Sequence, residues 1–302
     1  MRRWLRRLGL AVLALVATVT LASLVYNLAT RNRDRYVYRG PAAVVDGTRL
    51  AYAHWGTSGS PILLLGGFVE PTWVWDRVGP LLGRTHRVYA IDLPPFGFSQ
   101  RRGPYTLARW SELVRGFAAH FRLTRPVVVG HSLGAAVAVS VAGSSRGIVL
   151  LDGDAVPGGS GPGWLTDLLV PPWFTSAYRI VTGSGFVFRR VLRNAGAPST
   201  SAAAVRAWQL PFRVPGTAAA FRSMLRYGVQ GVSDATLRSV RTPRLVLWGA
   251  DDRVDSIGAG RRTAALLRTR LVAVPGAGHL SMLAAPAVVA RAIDEFATRL
   301  RS

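Results

Sequence analysis

The sequence predicts an α/β fold in which a mostly parallel central sheet is covered by helices on both faces. Short runs of β-branched and aliphatic residues recur along the chain, and most are separated by stretches long enough for a helix. Strands that alternate with helices favour parallel pairing, because each helix returns the chain to the same end of the sheet. Two further observations complete the prediction: an uncharged run near the N-terminus, and one unusually long interval between strands.

The first element is the uncharged apolar run from Leu8 to Ala29. About 20 apolar residues cross the hydrocarbon core of a bilayer, and Trp4 and Tyr26 lie near the two ends, where interfacial aromatic residues are found. The run therefore predicts a transmembrane helix within an N-terminal anchor and juxtamembrane segment, residues 1–35.

A cleaved signal peptide is the alternative, with Thr20 and Ala22 as a small-residue cleavage site. Signal-peptide cores are usually shorter than this run, so a retained single-pass anchor is favoured. Arginines flank the run on both sides, and the positive-inside rule hardly separates the two orientations. We expect the N-terminus inside and the catalytic domain exported.

The remaining residues, 36–302, contain seven apolar runs that predict strands. These runs are Leu50–His54, Ile62–Leu65, Val88–Ile91, Val127–Val129, Ile148–Leu151, Leu245–Trp248 and Leu271–Val274. Helices are predicted between them, for example at Trp110–Phe121 and Gly258–Leu267.

The interval between Leu151 and Leu245 interrupts the alternation. It is rich in Pro, Gly, Trp and Phe, and it has helix-like pieces at Trp164–Leu169 and Ala202–Gln209 but no convincing buried strand. We therefore interpret residues from about 154 to about 240 as an insertion over the sheet.

Composition limits the possible functions. With 302 residues the chain can form one large domain, or one domain with a smaller insertion. It has no cysteine, which excludes disulfides, thiolate chemistry and cysteine metal sites. The net charge of +23 comes from arginine alone, yet no nucleic-acid recognition motif accompanies it. The sequence therefore predicts no nucleic-acid partner. It does predict attraction of the N-terminal arginines to anionic lipid.

Ser132 is the candidate nucleophile. It lies between the predicted strand Val127–Val129 and an alanine-rich helix, with Gly130 and Gly134 two positions to either side. The pattern G-x-S-x-G between a strand and a helix is typical of a nucleophile elbow. Residues 143–147 match the same pattern, but they follow a helix and precede a strand, which indicates an ordinary loop.

A serine nucleophile needs a histidine base and a carboxylate that orients it. Of five histidines, His279 alone follows the last predicted strand, and loops at the carboxyl ends of strands carry the site in an open α/β sheet. The carboxylate candidates after the preceding strand are Asp251, Asp252 and Asp255. Asp255 is better placed to cap the next helix.

From Tyr36 to Leu300 the chain resembles the α/β-hydrolase superfamily. The resemblance rests on the stretches VVDGTRLAYAHWG, LPPFGFS, GHSLG, GADD and PGAGHLSMLAAP, together with the chain order serine, aspartate, histidine. It implies Asp252 as the acid, because the family places it three residues after the glycine that ends the strand. Asp152 and Asp154 are alternatives, since some members use an acid after the earlier strand.

The resemblance also implies an oxyanion hole, in which backbone N–H groups hold the negative charge that forms on the carbonyl oxygen. The predicted donors are Leu133, the residue after the nucleophile, and Phe68, in the loop after the third strand. Two positions differ from the family pattern: Gly66 stands where a histidine is usual, and Pro95 where a glycine is usual. The missing histidine leaves the orientation of the loop undetermined.

The sequence thus predicts a serine hydrolase that cleaves small-molecule carboxylic esters, with Ser132, Asp252 and His279 as catalytic residues and with no metal or organic cofactor. The insertion resembles the cap of the family. Its aromatic side chains either line an apolar pocket for an acyl or aromatic group or only pack the cap onto the core; they are Trp164, Trp173, Phe174, Tyr178, Phe186, Trp208, Phe212, Phe221 and Tyr227. The alternative functions are a carbon–carbon bond hydrolase of the same fold and a catalytically silent binding protein.

Overall fold

A computed structural model describes residues 2–158, 170–228 and 230–300 of the chain. The described residues form an eight-stranded sheet in the order β1-β2-β4-β3-β5-β6-β7-β8. The strands are β1 (Ala42–Val45), β2 (Thr48–Trp55), β3 (Pro61–Leu65), β4 (Arg87–Ile91), β5 (Val127–His131), β6 (Gly147–Leu151), β7 (Arg244–Gly249) and β8 (Leu271–Val274). The predicted α/β class is confirmed, and each of the seven apolar runs lies in a strand.

The sheet is parallel from β4 to β8, whereas β2 pairs antiparallel with both β1 and β4. All five residues of β5 and of β6 are buried, which explains why these strands are apolar throughout rather than alternating. The runs predicted from sequence do not include β1. Alternate residues of this short edge strand are exposed, so it has no continuous apolar signature.

Helices cover the sheet and fill the long interval between β6 and β7. In chain order they are α1 (Arg2–Ala29), α2 (Gly79–Leu82), α3 (Leu107–His120), α4 (Leu133–Ser140), α5 (Pro171–Gly183), α6 (Gly185–Asn194), α7 (Ala202–Gln209), α8 (Thr217–Tyr227), α9 (Asp234–Ser239), α10 (Ile257–Leu266), α11 (Ser281–Ala284) and α12 (Pro286–Arg299). Helix α7 matches its predicted bounds. The predicted piece Trp164–Leu169 lies outside the described residues.

The insertion, α5 to α9, contains no strand within its described residues. It is held to the core by the half-buried side chain of Arg101, which donates hydrogen bonds to the carbonyl oxygens of Gly97 (2.7 Å) in the core and Pro211 (2.8 Å) in the insertion. The rings of Phe96 and Phe221 also meet across this boundary, 5.9 Å apart. The helices of the insertion therefore lie over the carboxyl ends of the strands, where they share a cavity with Ser132 and His279.

Helix α1 is long and apolar enough to cross a membrane, with a mean hydropathy of 2.5 in its most apolar window, although a signal sequence would meet the same criterion. Its second half packs on α5. The Thr20 hydroxyl accepts a hydrogen bond from the Trp173 indole (3.1 Å), and the Asn27 amide donates to the Pro172 carbonyl (2.8 Å). The proposed domain boundary at residue 35 thus separates two elements that are in contact.

Candidate active site

Ser132 occupies the sharp turn between β5 and α4 with a backbone conformation of φ 50° and ψ −120°. This region is unfavourable for a residue with a Cβ, and such strain is typical of functional sites. The flanking glycines allow it: a Cβ on Gly130 would lie 2.1 Å from the Gly134 carbonyl oxygen. The strand–turn–helix context predicted for a nucleophile elbow is confirmed.

The competing serine pattern at residues 143–147 has a different environment. Ser145 is buried, and its hydroxyl donates to the Val141 carbonyl oxygen at 2.8 Å. It lies in the turn between a short 3₁₀ helix, Ala142–Ser144, and β6. Among the described residues, the cavity that Ser145 lines contains no histidine.

His279 lies in the loop between β8 and α11, and its Nδ1 donates to the Asp252 Oδ2 over 2.8 Å. The other carboxylate oxygen of Asp252 accepts the backbone N–H groups of Val254 (2.8 Å) and Asp255 (3.0 Å). Because the carboxylate accepts from Nδ1, the neutral ring has its lone pair on Nε2. A base with this tautomer can take a proton from a serine hydroxyl.

The other carboxylates predicted from sequence lie elsewhere. The expectation that Asp255 caps the following helix is wrong: Ser256 is the cap of α10, and its hydroxyl accepts the Ala259 N–H. Asp152 contacts Gly249 N–H (2.6 Å) and the Ser281 hydroxyl. It joins the end of β7 to the residue that follows the histidine loop, and it makes no hydrogen bond to the imidazole of His279.

The two predicted oxyanion donors, Phe68 and Leu133, line one cavity of about 220 Å³ together with Ser132. Leu133 is the first residue of α4, and the first N–H groups of a helix have no acceptor within that helix. Gly67 brings the Phe68 loop against the elbow, since a Cβ at this position would lie 2.8 Å from the Cβ of Ser132. Only glycine permits this approach.

A buried acid–base cluster below Ser132 was missed by sequence reasoning. The Glu70 Oε2 accepts the Gly67 N–H (2.6 Å) and the His131 Nδ1–H (2.8 Å). On its other side, His131 donates from Nε2 to the His279 carbonyl oxygen (2.7 Å). One imidazole thereby joins the predicted oxyanion loop to the loop of the predicted base, and it supplies the fixed orientation that the missing family histidine left undetermined.

Both ring nitrogens of His131 face acceptors, so the ring is an imidazolium. Burial opposes that charge, but the Glu70 carboxylate outweighs it and raises the pKa of His131 to about 9. Burial raises the pKa of Asp152, 3.8 Å from His131, to about 6 although the imidazolium lowers it. A lone acidic residue in the apolar stretch GGFVEPTWVW was the one signal for Glu70 in the sequence.

The main cavity, about 550 Å³, is lined by both Ser132 and His279 at its base and by α6 at its mouth. Of the aromatic residues predicted in the insertion, Phe186 and Trp208 line it, and Phe188 joins them. Most of the others pack within the insertion, on α1 or, for Phe221, on Phe96 of the core; they are Trp173, Phe174, Tyr178, Phe212 and Phe221. Trp164 lies outside the described residues. Some of the predicted aromatic residues therefore line the cavity, and others only pack the insertion in place.

Within the described part of the chain, no group of three histidine or acidic side chains is arranged to hold a metal ion. Ser132, with its strained backbone, and His279, with its defined tautomer, line one apolar cavity, and Ser132 also lines a smaller cavity with Phe68 and Leu133. This arrangement is suited to acyl transfer.

Comparison with known proteins agrees with this architecture. The model of a family described as the alpha/beta hydrolase family matches residues 62–292. An uncharacterized hydrolase of Bacillus subtilis, YugF, is 26% identical over 261 residues, which are 83% of this chain and 95% of that protein.

Two solved structures share the fold at low sequence identity. A bacterial membrane phospholipase A matches over 100% of both chains with a TM-score of 0.70 and 24% identity. A meta-cleavage product hydrolase from Pseudomonas fluorescens matches 86% of this chain and 98% of its own, with a TM-score of 0.71 and 20% identity.

Proposed function

The chain belongs to the alpha/beta hydrolase family, and we propose that it is a membrane-anchored serine hydrolase that cleaves carboxylic esters with an apolar acyl or aromatic group. The observation that supports this most directly is the joint exposure of Ser132 and His279 to one largely apolar cavity. The 2.8 Å contact between His279 Nδ1 and Asp252 Oδ2 supports Asp252 as the third member of the proposed triad.

In the proposed mechanism the Ser132 hydroxyl attacks the ester carbonyl while its proton passes to His279 Nε2. The Phe68 and Leu133 N–H groups hold the oxyanion, and one such donor is worth about 3 to 4 kcal/mol. The alcohol leaves with the proton from His279. Water, deprotonated by the same imidazole, then attacks the acyl-enzyme and releases the acid. Asp252 holds the ring and stabilises its positive charge.

A fluorophosphonate probe tests the nucleophile, because only a base-activated serine attacks it. We expect labelling of the wild type, no labelling of Ser132→Ala, and full labelling of Ser145→Ala, the matched serine of the second pattern. Labelling that survived Ser132→Ala would refute the assignment. A chain that is never labelled would support a silent binding protein.

Graded p-nitrophenyl esters then define the reaction. The cavity of about 550 Å³ has room for a medium or long acyl chain, so we expect kcat/KM to rise with acyl length. Carbon–carbon bond hydrolysis is the competing reaction, and a vinylogous diketone separates the two. Faster turnover of the diketone than of every ester would overturn ester hydrolysis as the main activity.

A further inference from the structure

The contact between α1 and α5 limits how far the insertion can lie from a bilayer that α1 spans. The uncharged run from Leu8 to Ala29 rises about 33 Å, and a hydrocarbon core is about 30 Å thick. If the run enters the core at Leu8, it leaves near Asn27. Thr20, which binds the Trp173 indole, then lies about 10 Å inside the core boundary. Helix α5 is therefore at the interface or partly within it.

The surface of the insertion fits this position. On α5 and α6 large apolar side chains are exposed, with Ile180 57%, Val181 49%, Phe186 71% and Val191 55% accessible. The junction of the two helices lies beside the juxtamembrane segment, because a Cβ on Gly183 would be 3.7 Å from the Arg33 guanidinium. Apolar exposure on this scale marks an interaction surface.

The same surface forms the mouth of the main cavity. Phe186 and Val191 line the cavity that holds Ser132, and both are exposed at its rim. Arg190 lines the mouth as well, and Arg189 and Arg193 lie exposed on the same helix. A helix that combines exposed apolar side chains with arginines is typical of one lying in a membrane interface of anionic lipid.

We propose that the surface formed by α5 and α6 docks on the bilayer and that the cavity mouth opens to the leaflet. The substrate is then the acyl ester of an anionic membrane lipid, whose chain enters the cavity without crossing water while its headgroup meets Arg190. This inference rests on the proposed function for its ester chemistry and for the membrane anchor formed by α1, and the contacts between α1 and α5 supply its geometry.

The absence of cysteine makes a direct test available. Val181→Cys in the full chain takes a single environment-sensitive fluorophore, and the protein is placed in vesicles of phosphatidylcholine and phosphatidylglycerol with spin-labelled lipid. Val288→Cys on α12, 45% exposed, is the matched control. We expect strong quenching at position 181 and none at 288. Equal quenching at both positions would overturn the docking.

Kinetics test the substrate class. Ile180 is exposed but does not line the main cavity, so Ile180→Asp changes docking and not the binding pocket. We expect about tenfold slower hydrolysis of a fluorogenic phosphatidylglycerol in the vesicles, the effect of one apolar side chain removed from the interface. Hydrolysis of p-nitrophenyl butyrate should not change, and Val288→Asp should change neither rate. Parallel loss on both substrates would refute the inference.

Fluorophosphonate labelling of the same preparations separates this inference from the proposed function. A labelled enzyme without quenching at position 181 refutes the docking and leaves the serine hydrolase intact. Quenching without labelling supports the docking and refutes the hydrolase.

Discussion

Asp252→Asn is the substitution whose effect the structure defines most sharply. The carboxylate divides its two oxygens between different partners: Oδ2 accepts from His279, whereas Oδ1 accepts the N–H groups of Val254 and Asp255. The side-chain amide of asparagine has an oxygen that accepts hydrogen bonds and an NH₂ group that donates them. Because two fixed backbone donors face the Oδ1 site, the amide oxygen must occupy that site, and the amide NH₂ then faces His279.

An NH₂ group opposite Nδ1 needs an acceptor there. The imidazole of His279 would therefore place its proton on Nε2, the atom that must receive the proton of Ser132. In comparable triads this wrong tautomer lowers kcat by about 10⁴-fold, which corresponds to about 5.5 kcal/mol of activation free energy. The shape of the side chain is unchanged, so the fold should be retained.

The assay is the initial rate on a soluble p-nitrophenyl ester, with circular dichroism as the check on folding. We expect Asp252→Asn to lose between about 10² and 10⁴ in kcat. Asp251→Asn is the matched control, because Asp251 directly precedes Asp252 in the chain and its side chain is exposed. A folded Asp252→Asn enzyme within tenfold of the wild type, with the collapse at Asp152→Asn instead, would move the acid to the earlier strand.

Three other predictions concern the oxyanion loop and the buried cluster. Gly67→Ala should lower kcat about 10²-fold, because the new methyl group displaces the loop from Ser132 and displacements near 1 Å have this effect. Gly143→Ala is the control: open space surrounds Gly143, so kcat in the same ester assay should not change. Glu70→Gln should lower kcat more than it changes KM, since it replaces the carboxylate shared by Gly67 and His131; an unchanged kcat would show that the loop does not depend on it. The melting temperature should fall as pH rises from about 7 through 9, because the folded pKa of His131, about 9, exceeds its unfolded value of about 6.5, and in Glu70→Gln that loss should occur at lower pH.

Much of the fold was predictable because its signals are local. A strand buried on both faces must be apolar along its whole length, so β3 and β5 to β7 were visible as uninterrupted runs. The strand–turn–helix order likewise distinguished Ser132 from Ser145, because the strand and the helix that flank Ser132 directly precede and follow it in the chain. β1 was harder to detect, because an edge strand with alternating exposure carries half the apolar signal.

The pairing of Asp252 with His279 was reached through the family resemblance, and the competing aspartates could not be separated from their spacing alone. Side-chain direction after a strand depends on the turn that follows, and that turn is set here by the backbone N–H groups which Asp252 itself accepts. The mistaken role of Asp255 has the same origin. Ser256, one residue later, has the extended backbone that a cap requires.

The order of apolar runs and small residues along the chain was enough for the α/β class, the turn at Ser132 and an N-terminal helix of membrane length. Those features depend on residues that are neighbours in sequence. The pairing of Glu70 with His131, and the packing of α1 on the insertion, join positions about 60 to 150 residues apart. A buried charge is stable only beside a partner of opposite charge. No local sequence pattern indicates which distant residue is that partner, because the two residues meet only when the sheet brings the ends of its strands together.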